Sequence, residues 1–222
     1  MSLPGWFPYS PGGPAGPAGP GGPDSGWAPD GPQGWIRSRL LERRVVTLAG
    51  PLDDACANEV GAALMTLDAD GDGSIELRVD SPGGPTGAAL ALMDIIDLLG
   101  VPVRAWCTGQ VAGTAVGVLA VCQQRTISPH ARVHLTEPRM EFEGDARLLE
   151  RLAAEHADRW AMFCRRLAQA TGRTTEQISG DTADGRFLTA SEAVAYGIVD
   201  GVATPDAPIG RLPPRPLGFR PR

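Results

Sequence analysis

Residues 75–84 read Ile-Glu-Leu-Arg-Val-Asp-Ser-Pro-Gly-Gly. A strand, Ile75–Val79, enters a Ser-Pro-Gly-Gly turn, and a helix is expected from Gly87 to Leu99; strand, turn and helix make the first part of a βαβ unit. Upstream, Arg44–Leu48 (RVVTL) is β-branched and apolar, ends at Gly50-Pro51, and predicts a buried strand. Asp53 or Asp54 can cap a helix whose apolar face includes Ala57, Val60, Ala63 and Leu64. The acidic DADGDG (68–73) that follows is a turn, without the ligand spacing or the terminal Glu of an EF-hand. Downstream, Val101–Trp106 predicts a third strand, Gly109 to about Val121 a buried small-residue helix, and Arg132–Leu135 a further strand. A long helix is expected from about Asp145 to Ala170, stopped by Gly172, then a short one at Ser191–Tyr196 leading into Ile198-Val199-Asp200. Strands alternating with one-sided helices imply an α/β fold of repeated βαβ units around a largely parallel sheet.

Composition limits what such a domain can do. Of 222 residues, 42% are hydrophobic, enough for a core, and the net charge of −6 argues against an electrostatic nucleic-acid binder. No run of about 18 apolar residues suggests a membrane span, and Met1–Ser10 carries neither a basic cluster nor an apolar stretch of seven, so a cytoplasmic protein is expected. Cys56, Cys107, Cys122 and Cys164 form no CxxC pair and read as buried thiols. His130, His134 and His156 lack HExxH spacing; no metal and no cofactor is expected. Of 29 glycines and 21 prolines in all, 10 and 9 fall within residues 1–34, which read as a Pro/Gly-rich disordered arm. Glycines at 13, 16, 19 and 22 imitate a collagen repeat, but four triplets are too few for a triple helix. Order is expected from Trp35 to residue 204, and 205–222 read as a disordered Pro/Arg-rich tail.

Four stretches of the ordered part resemble the proteolytic subunit of the Clp protease, the ClpP family of serine peptidases, related in fold to the crotonases. They are Ser38-Arg39-Leu40-Leu41 with Arg44-Val45-Val46, Asp80-Ser81-Pro82-Gly83-Gly84, Pro129-His130-Ala131-Arg132, and Asp181-Thr182 through Arg186-Phe187-Leu188 to Gly197-Ile198-Val199-Asp200. They occur in the family's order and spacing over about three-quarters of the chain. The resemblance implies a ClpP/crotonase-like fold with a protruding strand-turn-helix handle, here Pro138–Gly172.

Acyl-transfer hydrolysis needs a nucleophile, a base, a group that orients the base, and donors for the oxyanion. By resemblance the donors are the backbone N–H groups of Gly84 and Thr114. The other three positions are empty of chemistry. The family's serine aligns with Gly113, its histidine with Thr136 and its aspartate with Gly185. Thr114, His134 and Asp184 lie one or two residues away and define a displaced triad. A one-residue helical step would turn Thr114 away by about 100°, and two strand residues carry His134 about 6.6 Å from Thr136.

The family implies stacked heptameric rings and docking of AAA+ ATPases. The expected role is therefore an inactive subunit in a homo- or hetero-oligomeric ring with ClpP paralogues, modifying assembly, gating or specificity of ATP-dependent proteolysis. A homo-oligomeric scaffold with no protease partner is the alternative, and residual serine-type hydrolysis through the displaced triad is another. A crotonase-like reaction lacks a suitably placed Glu pair. Two departures bear on assembly: Met140-Glu141 replaces a glycine pair in the handle, and the arm bears no likeness to the family's pore-lining N-terminus. The tail carries Leu217-Gly218-Phe219, a tripeptide of the kind ATPases use for docking, which suggests that it occupies a docking pocket itself.

Overall fold

The computed structural model describes residues 31–204. A division after Ile36 separates two units; the sheet, the core and the site all belong to the second. Helix α1 (Gly31–Leu41) crosses that division, where the sequence reading starts order only at Trp35 and expects no helix.

Strands β1 (Val45–Ala49), β2 (Ile75–Ser81), β3 (Val103–Ala112), β4 (Gln124–Ile127) and β7 (Gly201–Val202) lie side by side in that order, all parallel. β5 (Arg132–His134) joins β3 in parallel and pairs antiparallel with β6 (Phe187–Leu188). The connecting helices are α2 (Asp54–Ala69), α3 (Thr86–Leu98), α4 (Ala115–Ala120), α5 (Ala146–Thr171), α6 (Thr175–Ala183) and α7 (Ala190–Tyr196). β2 alternates buried apolar residues with partly exposed polar ones, and Ile75, Leu77 and Val79 are fully buried. Asp53, not Asp54, caps α2, its carboxylate accepting from Cys56 N at 2.7 Å. Asp145 caps α5 in the same way at Leu148 N, and Gly172 ends it in the left-handed conformation that glycine adopts without a Cβ clash.

The main departure from the sequence reading is β3. It runs ten residues, through the segment expected to begin a helix at Gly109, and α4 is left with only six. Its first half pairs with β4 and its last three residues with β5. Between them the β2–β3 register shifts, Val79 facing Cys107 but Ser81 facing Val111. Asp80 holds this irregularity: its carboxylate accepts from Gln110 N at 2.9 Å, and a Cβ on Gly109 would lie 2.6 Å from the same carboxylate. The shift carries the end of β3 sideways, so Gly113 and Thr114 arrive beside the Pro82–Pro85 turn.

α4 is buried along its whole length. Gly117 lets its backbone approach α5, since a Cβ there would overlap the Phe163 ring and lie 2.9 Å from Met93 Sδ. The strand expected ahead of α5 is absent; residues 135–144 contain no ladder, as a strand segment needs a partner to form one. α6 is an addition to the expected elements, although Thr174 and Gln177 form a complete capping box at its start.

Three cysteines are buried as expected, but Cys56 is partly exposed. Burial, reinforced by the nearby Asp80 carboxylate, pushes the Cys107 thiol up to about 12.

Candidate functional site

The ends of β2 and β3 open at the carboxyl edge of the parallel sheet, the edge where open α/β sheets bind ligands. Gly83, with φ +86°, turns the chain there; a Cβ would lie 2.7 Å from Ala112 O, so only glycine fits. Gly84 is equally constrained, because a Cβ would run into the carbonyl of Leu52. Across from this turn Gly113 takes φ +52° and donates its N–H to His134 O at 3.0 Å. Gly83, Gly84, Gly113, Thr114, Thr136 and Met140 help line a cavity of about 280 Å³.

The positions read from the sequence as vacated by a triad are partly gathered here. A Cβ built on Gly113 lies 3.4 Å from Pro82 O and 3.8 Å from Thr136 Cγ2, so positions 113 and 136 face each other. Gly185 follows the end of α6 with φ +70°; a Cβ there meets His134 Nε2 at 3.6 Å and no atom of Thr136 within 4 Å. None of the three carries a group that can act as nucleophile, base or carboxylate at its aligned place.

The neighbouring residues are committed elsewhere. Thr114, fully buried, is the N-cap of α4. Its hydroxyl accepts from Gly84 N at 2.9 Å and donates to Gly84 O at 3.0 Å. His134 stacks on Phe187 with ring centroids 3.8 Å apart. Asp184 is the exposed C-cap of α6. No hydrogen bond among the described residues links Thr114, His134 and Asp184 to one another. His130 is exposed, and His156 is half-buried edge-on to Phe142.

Two polar groups frame the site. Glu137, beside Thr136, accepts from Trp160 Nε1 at 3.2 Å and so ties the segment before α5 to the helix. On the far side, Leu135 N donates to Arg186 O at 2.8 Å, and Arg186 pairs with Asp181 at 3.0 Å. Asp181 also accepts from Tyr196 OH at 2.6 Å. Burial pulls the Asp181 carboxyl upward, but the Tyr196 hydroxyl and the Arg186 guanidinium outweigh it and hold the carboxyl below its usual value.

The family model described as Clp protease matches residues 33–206. The chain belongs to the Clp protease family. The match covers the whole sheet and every helix from α2 to α7. Among the described residues of this Clp-family chain, no helix is long and apolar enough to cross a membrane.

Sequence reading places Thr114 on a helix, turned away from the site, and so misses what its hydroxyl does. A hydroxyl residue directly after Gly113 is a signal for it, once the helix is known to start only at Ala115. Arg125 also escapes the sequence reading. Its Nη1 donates to Ala120 O, Ala170 O and Gly197 O, at the ends of α4, α5 and α7, at 3.1–3.2 Å, while Nη2 pairs with Asp200. The Leu217-Gly218-Phe219 tripeptide lies outside the described residues.

Proposed function

We propose that the chain is a catalytically inactive ClpP-like subunit that assembles in a ring with active Clp protease subunits and modifies assembly, gating or specificity of ATP-dependent proteolysis. The observation that carries this reading is Gly113. It stands at the strand-to-helix turn where the family requires a nucleophile, beside the Gly83-Gly84 turn and facing Thr136, and it has no side chain. Thr136 and Gly185, at the base and carboxylate positions, supply neither a proton acceptor of suitable basicity nor a charge.

The retained elements favour assembly. The sheet and the long handle helix α5 keep their place while the chemistry is gone, and Leu148, Leu149 and Trp160 of that helix are only partly covered within one chain. The displaced triad is disfavoured by the contacts that occupy Thr114 and His134. A homo-oligomeric scaffold is the alternative outcome. The 1–34 arm, the 205–222 tail with its Leu217-Gly218-Phe219, and a cytoplasmic location belong to the proposal.

The test is to purify the chain with its partners from its own host and treat the assembly with a serine-directed fluorophosphonate. The reading predicts label on co-purifying Clp subunits and none on this chain. Label on this chain contradicts its inactivity.

A further inference from the structure

We propose that Thr114 is a lock on the oxyanion site: its hydroxyl holds the Gly84 amide, so one of the two expected backbone donors, Gly84 N–H and Thr114 N–H, is already engaged, in addition to the missing triad. The inference rests on the reading of this cavity as a former Clp active site. A threonine hydroxyl has one hydrogen and two lone pairs. Here the hydrogen goes to Gly84 O at 3.0 Å and a lone pair receives Gly84 N–H at 2.9 Å. Nothing of the hydroxyl's donor capacity is left for a substrate oxygen, and the one amide on the Pro82–Pro85 turn that could receive an oxyanion is already satisfied.

The pair is held firmly. Thr114 is fully buried and its backbone is anchored as the N-cap of α4, whose Gly117 N–H donates to Thr114 O at 3.1 Å. Gly84 is pinned from behind, because Leu52 N donates to Gly83 O and the Leu52 carbonyl leaves no room for a Cβ at Gly84. Both residues line the cavity, so without the hydroxyl the amide would face whatever enters it. A preorganised donor must be free at the moment charge develops; the Gly84 N–H must first break its bond to Thr114 Oγ1. Restoring nucleophile, base and carboxylate therefore does not restore an efficient site.

The experiment uses the full chain with Gly113→Ser, Thr136→His and Gly185→Asp combined, and the same chain with Thr114→Val or Thr114→Ser added. Valine keeps the shape and deletes the hydroxyl; serine keeps the hydroxyl. Hydrolysis of a short fluorogenic peptide gives kcat and KM, and amide exchange at Gly84 is measured in otherwise native chains with and without Thr114→Val. One oxyanion donor is worth roughly 10²–10³ in kcat, so Thr114→Val is expected to raise kcat of the triple variant at least about tenfold with KM little changed, and Thr114→Ser to leave it low. Gly84 exchange is expected to accelerate at least about tenfold in Thr114→Val. Equal kcat with and without the hydroxyl overturns the lock. If no variant hydrolyses, the exchange rate decides, and unchanged exchange at Gly84 overturns it equally. Hydrolysis by the native chain would instead sink the inactive-subunit reading, with Gly84 exchange then deciding the lock by itself.

Discussion

Gly113 and Thr136 face each other across the cavity floor, with a Cβ built at Gly113 falling 3.8 Å from Thr136 Cγ2. Two backbones thus approach each other closely here, with no side chain on one and only a threonine on the other. The same contact shows that position 113 has space for a side chain: its nearest neighbours stand at ordinary van der Waals distance.

Gly113→Ser should therefore fold. Its cost is conformational, since φ +52° disfavours an L residue by about 1–2 kcal/mol, a drop of several degrees in Tm for a unit of this size. It should not hydrolyse peptides, because Thr136 is no base. Calorimetry with a peptidase assay checks both, and turnover by this single variant would mean that another base reaches position 113.

Arg125 draws together the ends of three helices, its positive charge set against their carbonyl-rich termini. Arg125→Ala leaves those carbonyls without their donor and Asp200 with only the backbone N–H of residue 125, and should cost about 2–4 kcal/mol. Arg125→Lys should recover only part of this, because an ammonium cannot hold Asp200 through two nitrogens while reaching three carbonyls. Urea unfolding midpoints of the three chains decide it.

Acid should act through Asp181 and Asp200. Burial raises each carboxyl, but Tyr196 and Arg186 in one case, and Arg125 in the other, hold both below the ordinary 3.8. A carboxyl depressed in the fold contributes stability that is complete above its unfolded value and is lost as pH falls through the folded one. These two groups should leave stability level between pH 7 and about pH 5, and reduce it below about pH 4. Asp181→Asn, which keeps the Tyr196 contact, should flatten that acid decline; an unaltered decline would show that the charge of Asp181 contributes nothing.

Gly117→Ala tests the packing behind the site. Its methyl would overlap Phe163, which stacks on Trp160 at 5.0 Å and is fully buried. Overpacking of this kind costs about 1–3 kcal/mol and should lower Tm accordingly. A neutral result would show that α4 and α5 can move apart freely.

Much of the scaffold is legible in local signals. Ile75–Val79 and Arg44–Leu48 announce strands by their apolar and β-branched content, and Asp53, Asp145 and Gly172 mark helix ends by capping chemistry that operates within a few residues. The end of β3 cannot be read this way. Gln110 and Ala112 suit a helix and only Val111 favours a strand, and the segment becomes strand because β5, some twenty residues later, supplies its hydrogen bonds. That non-local pairing also moves the start of α4 to Ala115, which changes the direction of Thr114 and brings its hydroxyl onto Gly84. Motif alignment alone makes Gly113 and Thr136 neighbours, whereas the contact of Gly185 with His134 depends on the β5–β6 pairing and has no local signal. α6 is a different case, because its Thr174–Gln177 capping box is visible in the sequence.

The central claim is that the chain works inside a protease as an inactive subunit, and native mass spectrometry of the assembly purified from its own host tests it most directly. The account predicts rings whose masses require both this chain and a serine-bearing Clp subunit. Rings of this chain alone, or a monomer, would contradict it.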